Sequence, residues 1–223
     1  MPEKPARPVR IRPVDPQEPL HTLQRDGITS LDQLKAATMA CRECPIGEFA
    51  TQSVTGEGAL HAKLMLVGEQ PGDQEDLQGH PFVGPAGKLL AKALDAAGIP
   101  REATFVSNAV KHFKFELRGK RRIHKSPTQR EAAACLHWLE DEIGLVQPAA
   151  LVALGATAAR SLLGRAVPVT AERGKWLPRA DGRKVLVTLH PSALLRVVES
   201  EAREAAFQAF VRDLRQARRV LRG

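Results

Sequence analysis

Apolar residues fall along this chain in two rhythms. Four short runs, Lys63 to Val67, Thr104 to Ser107, Ala150 to Leu154 and Lys184 to Leu189, are almost continuously apolar. Runs of that length and character predict strands buried on both faces. The stretches between them carry helical signals. Pro85 to Ala97 has proline in its first turn and Gly98 just past its end, the usual frame of a helix. Ser126-Pro127-Thr128 opens a second helix running through Ile143, with Cys135 inside it, and Gly155 to Leu163 reads as a third. Glu201 to Leu221 is the longest, with Ala206, Phe207, Phe210, Val211 and Leu214 along one face. Upstream, Ser30 is placed to cap a helix over Leu31 to Met39.

Alternation of this kind predicts the α/β class, as a three-layer α/β/α sandwich around a central four-stranded, mainly parallel sheet. Right-handed crossovers bring the carboxyl end of every strand to one edge, where open α/β sheets bind ligands. That edge collects the stretch Glu69 to Phe82, Asn108, Gly155 and His190. The intervening Gly68-Glu69-Gln70-Pro71-Gly72-Asp73-Gln74-Glu75-Asp76 is expected to be an acidic, glycine-containing loop.

Length adds that 223 residues suit one domain with a real core. We expect a proline-rich, flexible basic arm over residues 1–25 and a single domain over 26–223. No apolar run approaches the roughly 20 residues that span a bilayer, and the start lacks an apolar leader. Membrane partners are therefore not expected, and the cytoplasm is the expected setting. The net charge of +8 is uneven. Lys111, Lys114, Arg118, Lys120, Arg121, Arg122 and Lys125 face only Glu116 within residues 111–125, a concentration that suits a nucleic-acid backbone. Cys41 and Cys44 form a Cys-x-x-Cys pair, with Cys135 far downstream. Three thiols ask for a metal or cluster with one further ligand.

These pieces form a pattern. Gly-Glu-Gln-Pro-Gly-Asp, then Pro81-Phe82-Val83-Gly84-Pro85-Ala86-Gly87, then Asn108-Ala-Val-Lys, then His190-Pro-Ser resembles the uracil-DNA glycosylase superfamily, nearest its iron–sulfur family 4 branch. Two departures stand out. Gln70 replaces the alanine usual after the glutamate, and His112 stands where that branch has cysteine. With the added Lys120-Arg121-Arg122-Ile123-His124, the chain is similar to the UdgX group, which captures uracil-containing DNA covalently.

The resemblance implies a set of roles. Phe82 would stack on an extruded uracil, Asn108 would pair with its polar edge, and Gln70 and Asp73 would line its pocket. His190 would stabilise the departing base, and Glu69 would orient either a water or the ring of His124. His124 would attack the sugar and remain bonded to it, giving a single-turnover enzyme; a conventional multiple-turnover glycosylase and a non-catalytic iron–sulfur nucleic-acid-binding protein are the alternatives. Cys41, Cys44, His112 and Cys135 would hold a [4Fe–4S] cluster, with zinc as the alternative for the same ligand count. Lys111, Lys120, Arg121, Arg122 and Arg196 would contact uracil-containing DNA, single-stranded or duplex, and the protein would work as a monomer.

Overall fold

The computed structural model describes residues 27–222; the expected basic arm lies outside them. The chain forms α1 (Leu31–Ala40), α2 (Ile46–Phe49), β1 (Glu57–Gly58), β2 (Leu64–Gly68), α3 (Asp73–Gln78), α4 (Pro85–Ala97) and β3 (Thr104–Asn108). It continues through β4 (Phe115–Arg118), β5 (Arg121–His124), α5 (Gln129–Val146), β6 (Ala150–Leu154), α6 (Ala156–Leu163) and α7 (Val169–Glu172). β7 (Trp176–Pro178), β8 (Lys184–Thr188), α8 (Pro191–Leu195) and α9 (Ser200–Arg222) complete it.

The four expected strands are β3, β2, β6 and β8, adjacent in that order and parallel throughout. Short antiparallel strands, β1 beside β3 and β7 beside β8, extend the sheet to six among the described residues. Neither was foreseen, because two or three residues are too few to show a period. Alternate strand residues face opposite layers. Leu64, Leu66, Val106, Val152 and Leu186 pack under α4, α8 and α9, while Met65, Val67, Phe105, Leu151, Ala153 and Val187 pack under α5 and α6. A third cluster joins Leu34, Ile46, Val110, Cys135 and Trp138, tying α1 and α2 to α5.

Strand order sets the ligand position. From β2 the chain crosses by α4 to β3 on one side, then returns by α5 to β6 on the other. The connections from β2 and β6 leave toward opposite faces, so a crevice opens between their carboxyl ends.

A separate hairpin, β4–β5, stands over that edge with its turn at Gly119-Lys120, where Gly119 takes φ +61°. Its pairing puts Phe115 and His124 on one face together with Leu117 and Arg122.

Candidate active site

A cavity of about 400 Å³ lies at this edge, lined in part by Gln70, Asp73, Phe82, Asn108, His124, His190 and Arg196. Its floor is Gly68, the last residue of β2, in register with Asn108 at the end of β3. A Cβ at Gly68 would lie 2.4 Å from Asn108 Oδ1, 2.8 Å from Phe82 Cζ and 3.4 Å from His190 Nε2. The three groups thus converge on one point, and only glycine leaves them room.

Phe82 is held at φ +58°, a left-handed conformation rare outside glycine. Its ring lies 6.3 Å from that of His190, with the planes 30° apart. The turn is braced from behind, since a Cβ at Gly87 would fall 1.7 Å from the Phe82 carbonyl oxygen. Glu75, buried in α3, accepts the backbone N–H of Gly72 at 3.1 Å and of Gly84 at 3.0 Å. That carboxylate closes the loop around the cavity, and sequence reading had taken it for one more acid.

His190 precedes α8 as its N-cap. Its Nδ1 accepts the Ser192 backbone N–H at 3.2 Å and lies 2.8 Å from Ser192 Oγ. A backbone N–H can only donate, so in the neutral ring the proton sits on Nε2, which faces the cavity floor. Burial pushes the His190 pKa down to about 4, opposed by Glu69 and aided by His124 and Arg196. The site therefore holds a neutral N–H donor.

His124 enters from the hairpin, about half exposed, and burial also lowers its pKa against the opposing pull of Glu69. Gln70 fixes its surroundings. Gln70 Oε1 accepts the Lys114 N–H at 3.1 Å, which sets the orientation of the amide. Gln70 Nε2 then faces three acceptors: Lys114 O at 3.2 Å, Lys125 O at 3.0 Å and His124 Nε2 at 3.0 Å. An amide carries two N–H bonds, so the three compete, and His124 can turn away while both carbonyls remain served. As the acceptor, Nε2 bears the ring's lone pair. Gln70 lines the cavity, and its polar atoms engage the hairpin.

Glu69 was expected to accept the other N–H of His124. In the structure its Oε1 approaches Nε2 at 3.9 Å, beyond hydrogen-bond range, while Oε2 accepts the hydroxyl of Thr157 at 2.6 Å. Thr157 belongs to α6 and had no signal in the sequence.

Two cations of the basic stretch turn inward. Of the two partners open to Arg122, acids or phosphate, it takes the acids: its Nε donates to Asp73 Oδ1 at 2.7 Å and its Nη1 to Asp76 Oδ2 at 2.6 Å and Thr51 Oγ1 at 3.1 Å. Its guanidinium also lies 5.4 Å from the Phe113 ring centre and 5.1 Å from that of Phe115. Asp73 lines the cavity but is engaged by this arginine. Lys111, expected on the DNA surface, is fully buried. Its ammonium donates to Ser107 Oγ at 2.9 Å, the Asn108 carbonyl at 2.8 Å and Glu142 Oε2 at 2.7 Å. All three donors are satisfied, and Glu142 also accepts Gly56 N–H. This lysine holds Asn108 from beneath. Lys120, Arg121 and Arg196 remain exposed.

Among the described residues, no group of three or more His, Cys, Asp or Glu side chains gathers closely enough to hold a metal ion. The thiols nonetheless share one neighbourhood. Burial pushes the Cys135 thiol up to about 12, with Lys111 opposing and Cys41 and Cys44 adding to the rise. Lys111 N–H points at Cys135 Sγ at 3.3 Å, and the Trp138 indole N–H at Cys41 Sγ at 3.4 Å. His112 is buried, and its Cε1 comes within 3.6 Å of the Cβ position at Gly47 in α2, the helix that follows Cys44. Donors aimed at sulfur are the surroundings that the thiolate ligands of a metal or cluster use.

Comparison with known proteins agrees with this geometry. The uracil DNA glycosylase superfamily profile matches residues 55–215. A type-4 uracil-DNA glycosylase of Thermotoga maritima is 40% identical over 169 residues, covering 75% of this chain and 84% of that protein. One from Pyrobaculum aerophilum is 35% identical over 173 residues, covering 74% and 85%. A type-5 uracil-DNA glycosylase of Thermus thermophilus is 28% identical, covering 69% of this chain and 83% of its own.

Proposed function

The chain belongs to the uracil-DNA glycosylase superfamily, and we propose that it excises uracil from DNA and stays attached to the resulting abasic sugar through His124. The observation that carries the reading is the presence of the His124 lone pair in the cavity that also holds Phe82, Asn108 and His190. An imidazole there can attack the sugar or activate a water, and the fate of the sugar distinguishes the two.

Uracil would leave the stack, lie against Phe82 and pair with Asn108, whose amide offers both donor and acceptor. The C1′–N1 bond breaks with its electron pair going to the base. His190 Nε2–H stabilises the anion as a neutral donor. Glu69 offsets positive charge growing at the sugar. The Nε2 lone pair of His124 bonds to C1′, and the ring then gives its Nδ1 proton to solvent. The product is a neutral alkylated imidazole, a poor leaving group, so water regenerates the enzyme slowly.

Cys41, Cys44, His112 and Cys135 would hold a [4Fe–4S] cluster, with zinc the alternative for the same ligand count. When bound it supplies a structural cross-link between the α1–α2 segment, β3 and α5. Arg196, Lys120 and Arg121 would meet the DNA backbone.

Mass spectrometry of the protein mixed with uracil-containing oligonucleotide tests the reading. A mass shift on His124, absent with thymine DNA and lost in His124→Ala, is expected. Free uracil with many turnovers and no adduct would instead favour a conventional enzyme, such as the type-4 relatives.

A further inference from the structure

Thr157 reaches this site from α6, an element that supplies none of the other side chains described there. It is the second residue of α6, two positions after Gly155, which turns at φ +92°. Its hydroxyl ignores its own helix and crosses 88 positions of sequence to Glu69 Oε2, at 2.6 Å. The crevice between β2 and β6 explains the meeting. Glu69 leaves the carboxyl end of one strand and Thr157 follows the other, so they face each other across the point where strand order reverses.

Among the described residues this is the one hydrogen bond that the Glu69 carboxylate accepts. A glutamate on a strand-end loop has three side-chain torsions, and a half-buried one can swing toward solvent. A short bond from a hydroxyl to a charged oxygen removes that freedom. With Oε2 held, Oε1 is left facing His124 Nε2 at 3.9 Å. The distance is too long for a hydrogen bond and short enough for strong electrostatic influence inside a cavity.

We propose that Thr157 is a positioning residue for the capture reaction: by binding one oxygen of Glu69, it aims the other at the place where positive charge develops on the sugar and then on His124. This rests on the assignment of His124 above. The physical gain is preorganisation, since a carboxylate already in place needs no reorientation as charge appears. A Glu69 freed from Thr157 would spend part of its time elsewhere and would orient water as readily as histidine.

The test uses Thr157→Val, which keeps the shape and removes the hydroxyl, Thr157→Ser, which restores it, Glu69→Ala, and the Thr157→Val/Glu69→Ala pair. Adduct and free uracil are followed separately under single-turnover conditions on a uracil-containing single-stranded oligonucleotide. Affinity is measured on a non-cleavable 2′-fluoro-uridine analogue, and melting is recorded for each variant. Thr157→Val should slow adduct formation about tenfold, the effect of one hydrogen bond to a charged group. Affinity and melting should stay as in the unaltered protein. Thr157→Ser should recover the rate, and Thr157→Val should add nothing in the Glu69→Ala background.

An unchanged rate in Thr157→Val overturns the proposal, and so does an effect that persists undiminished without Glu69. So does a rate loss matched by equal losses of affinity and melting temperature that serine fails to rescue, which would assign the hydroxyl to folding. If the unaltered protein releases uracil and forms no adduct, the assignment of His124 fails instead. The same four variants scored on uracil release then still decide whether Thr157 acts through Glu69.

Discussion

A single methyl group at position 68 would collide with the recognition amide and the stacking ring at once. Neighbours in a packed floor move at a cost of about 1–3 kcal/mol. Here the neighbours are Asn108 and Phe82, so the cost falls on the groups proposed to read the base. Gly68→Ala is expected to lower single-turnover uracil release by about 100-fold or more. Melting should fall by only a few degrees, as scanning calorimetry would show.

The histidines give a second expectation. His190 is held neutral down to about pH 4, whereas its ordinary pKa is 6.5. Between those values the unfolded chain takes up a proton that the folded one refuses, so stability declines as pH falls through that window. Departure of the base should behave differently, because the His190 Nε2–H donor survives well below pH 6.5. Single-turnover uracil release at pH 7.5, 6 and 5 should therefore show no loss from protonation of His190 while the melting temperature drops. A rate that halves near pH 6.5 would contradict this. Phe82, Asn108 and His190 were legible in the sequence because each ends a strand or follows a turn on the ligand edge. Thr157 and Glu75 were not, since their roles depend on which strand lies beside which and on where one acid among four points.

At the scale of elements, the hairpin is held by side chains rather than by the main sheet. Arg122 reaches Asp73, Asp76 and Thr51, and Gln70 clasps both of the hairpin's ends. Arg122→Ala should leave uracil release within about threefold while reducing adduct yield by about tenfold, since the first depends on the sheet edge and the second on the hairpin. Adduct and free uracil from one reaction, resolved on a denaturing gel, would check the split.

The central strands and the large helices were legible because buried apolar runs and framed helical stretches carry their own periods. Gly119 takes the turn of the hairpin. The strands on either side were hidden, because Arg121 and Arg122 break any alternation. α3 was hidden too: its residues, Asp73–Gln78, are nearly all polar, and it exists because Glu75 and Asp76 are tied inward. Lys111 misled for a related reason. A lysine in a basic stretch reads as surface, and only the opposing Glu142 on α5 explains why it can be buried.

For the molecule as a whole, the +8 charge is best weighed by which cations remain free. Lys111 and Arg122 are spent on internal acids, while Lys120, Arg121 and Arg196 stay exposed. Lys120→Ala, Arg121→Ala and Arg196→Ala should each weaken DNA binding, and each should reduce the slope of log affinity against log salt by about 1. Lys111→Met should leave that slope unchanged, as salt-series titrations on non-cleavable DNA can establish.

The Lys125 N–H donates to the Lys114 carbonyl at 3.0 Å, so the chain enters and leaves the hairpin at almost the same place. The segment Phe115–His124 is therefore a cassette: its ends already touch, and removing it would require only a short turn to rejoin them. An ancestor could have gained the hairpin as one insertion without disturbing the sheet. By the same geometry, the nucleophile could be carried into a related scaffold together with the two latches, Gln70 and the Asp73–Asp76 pair, that seat it.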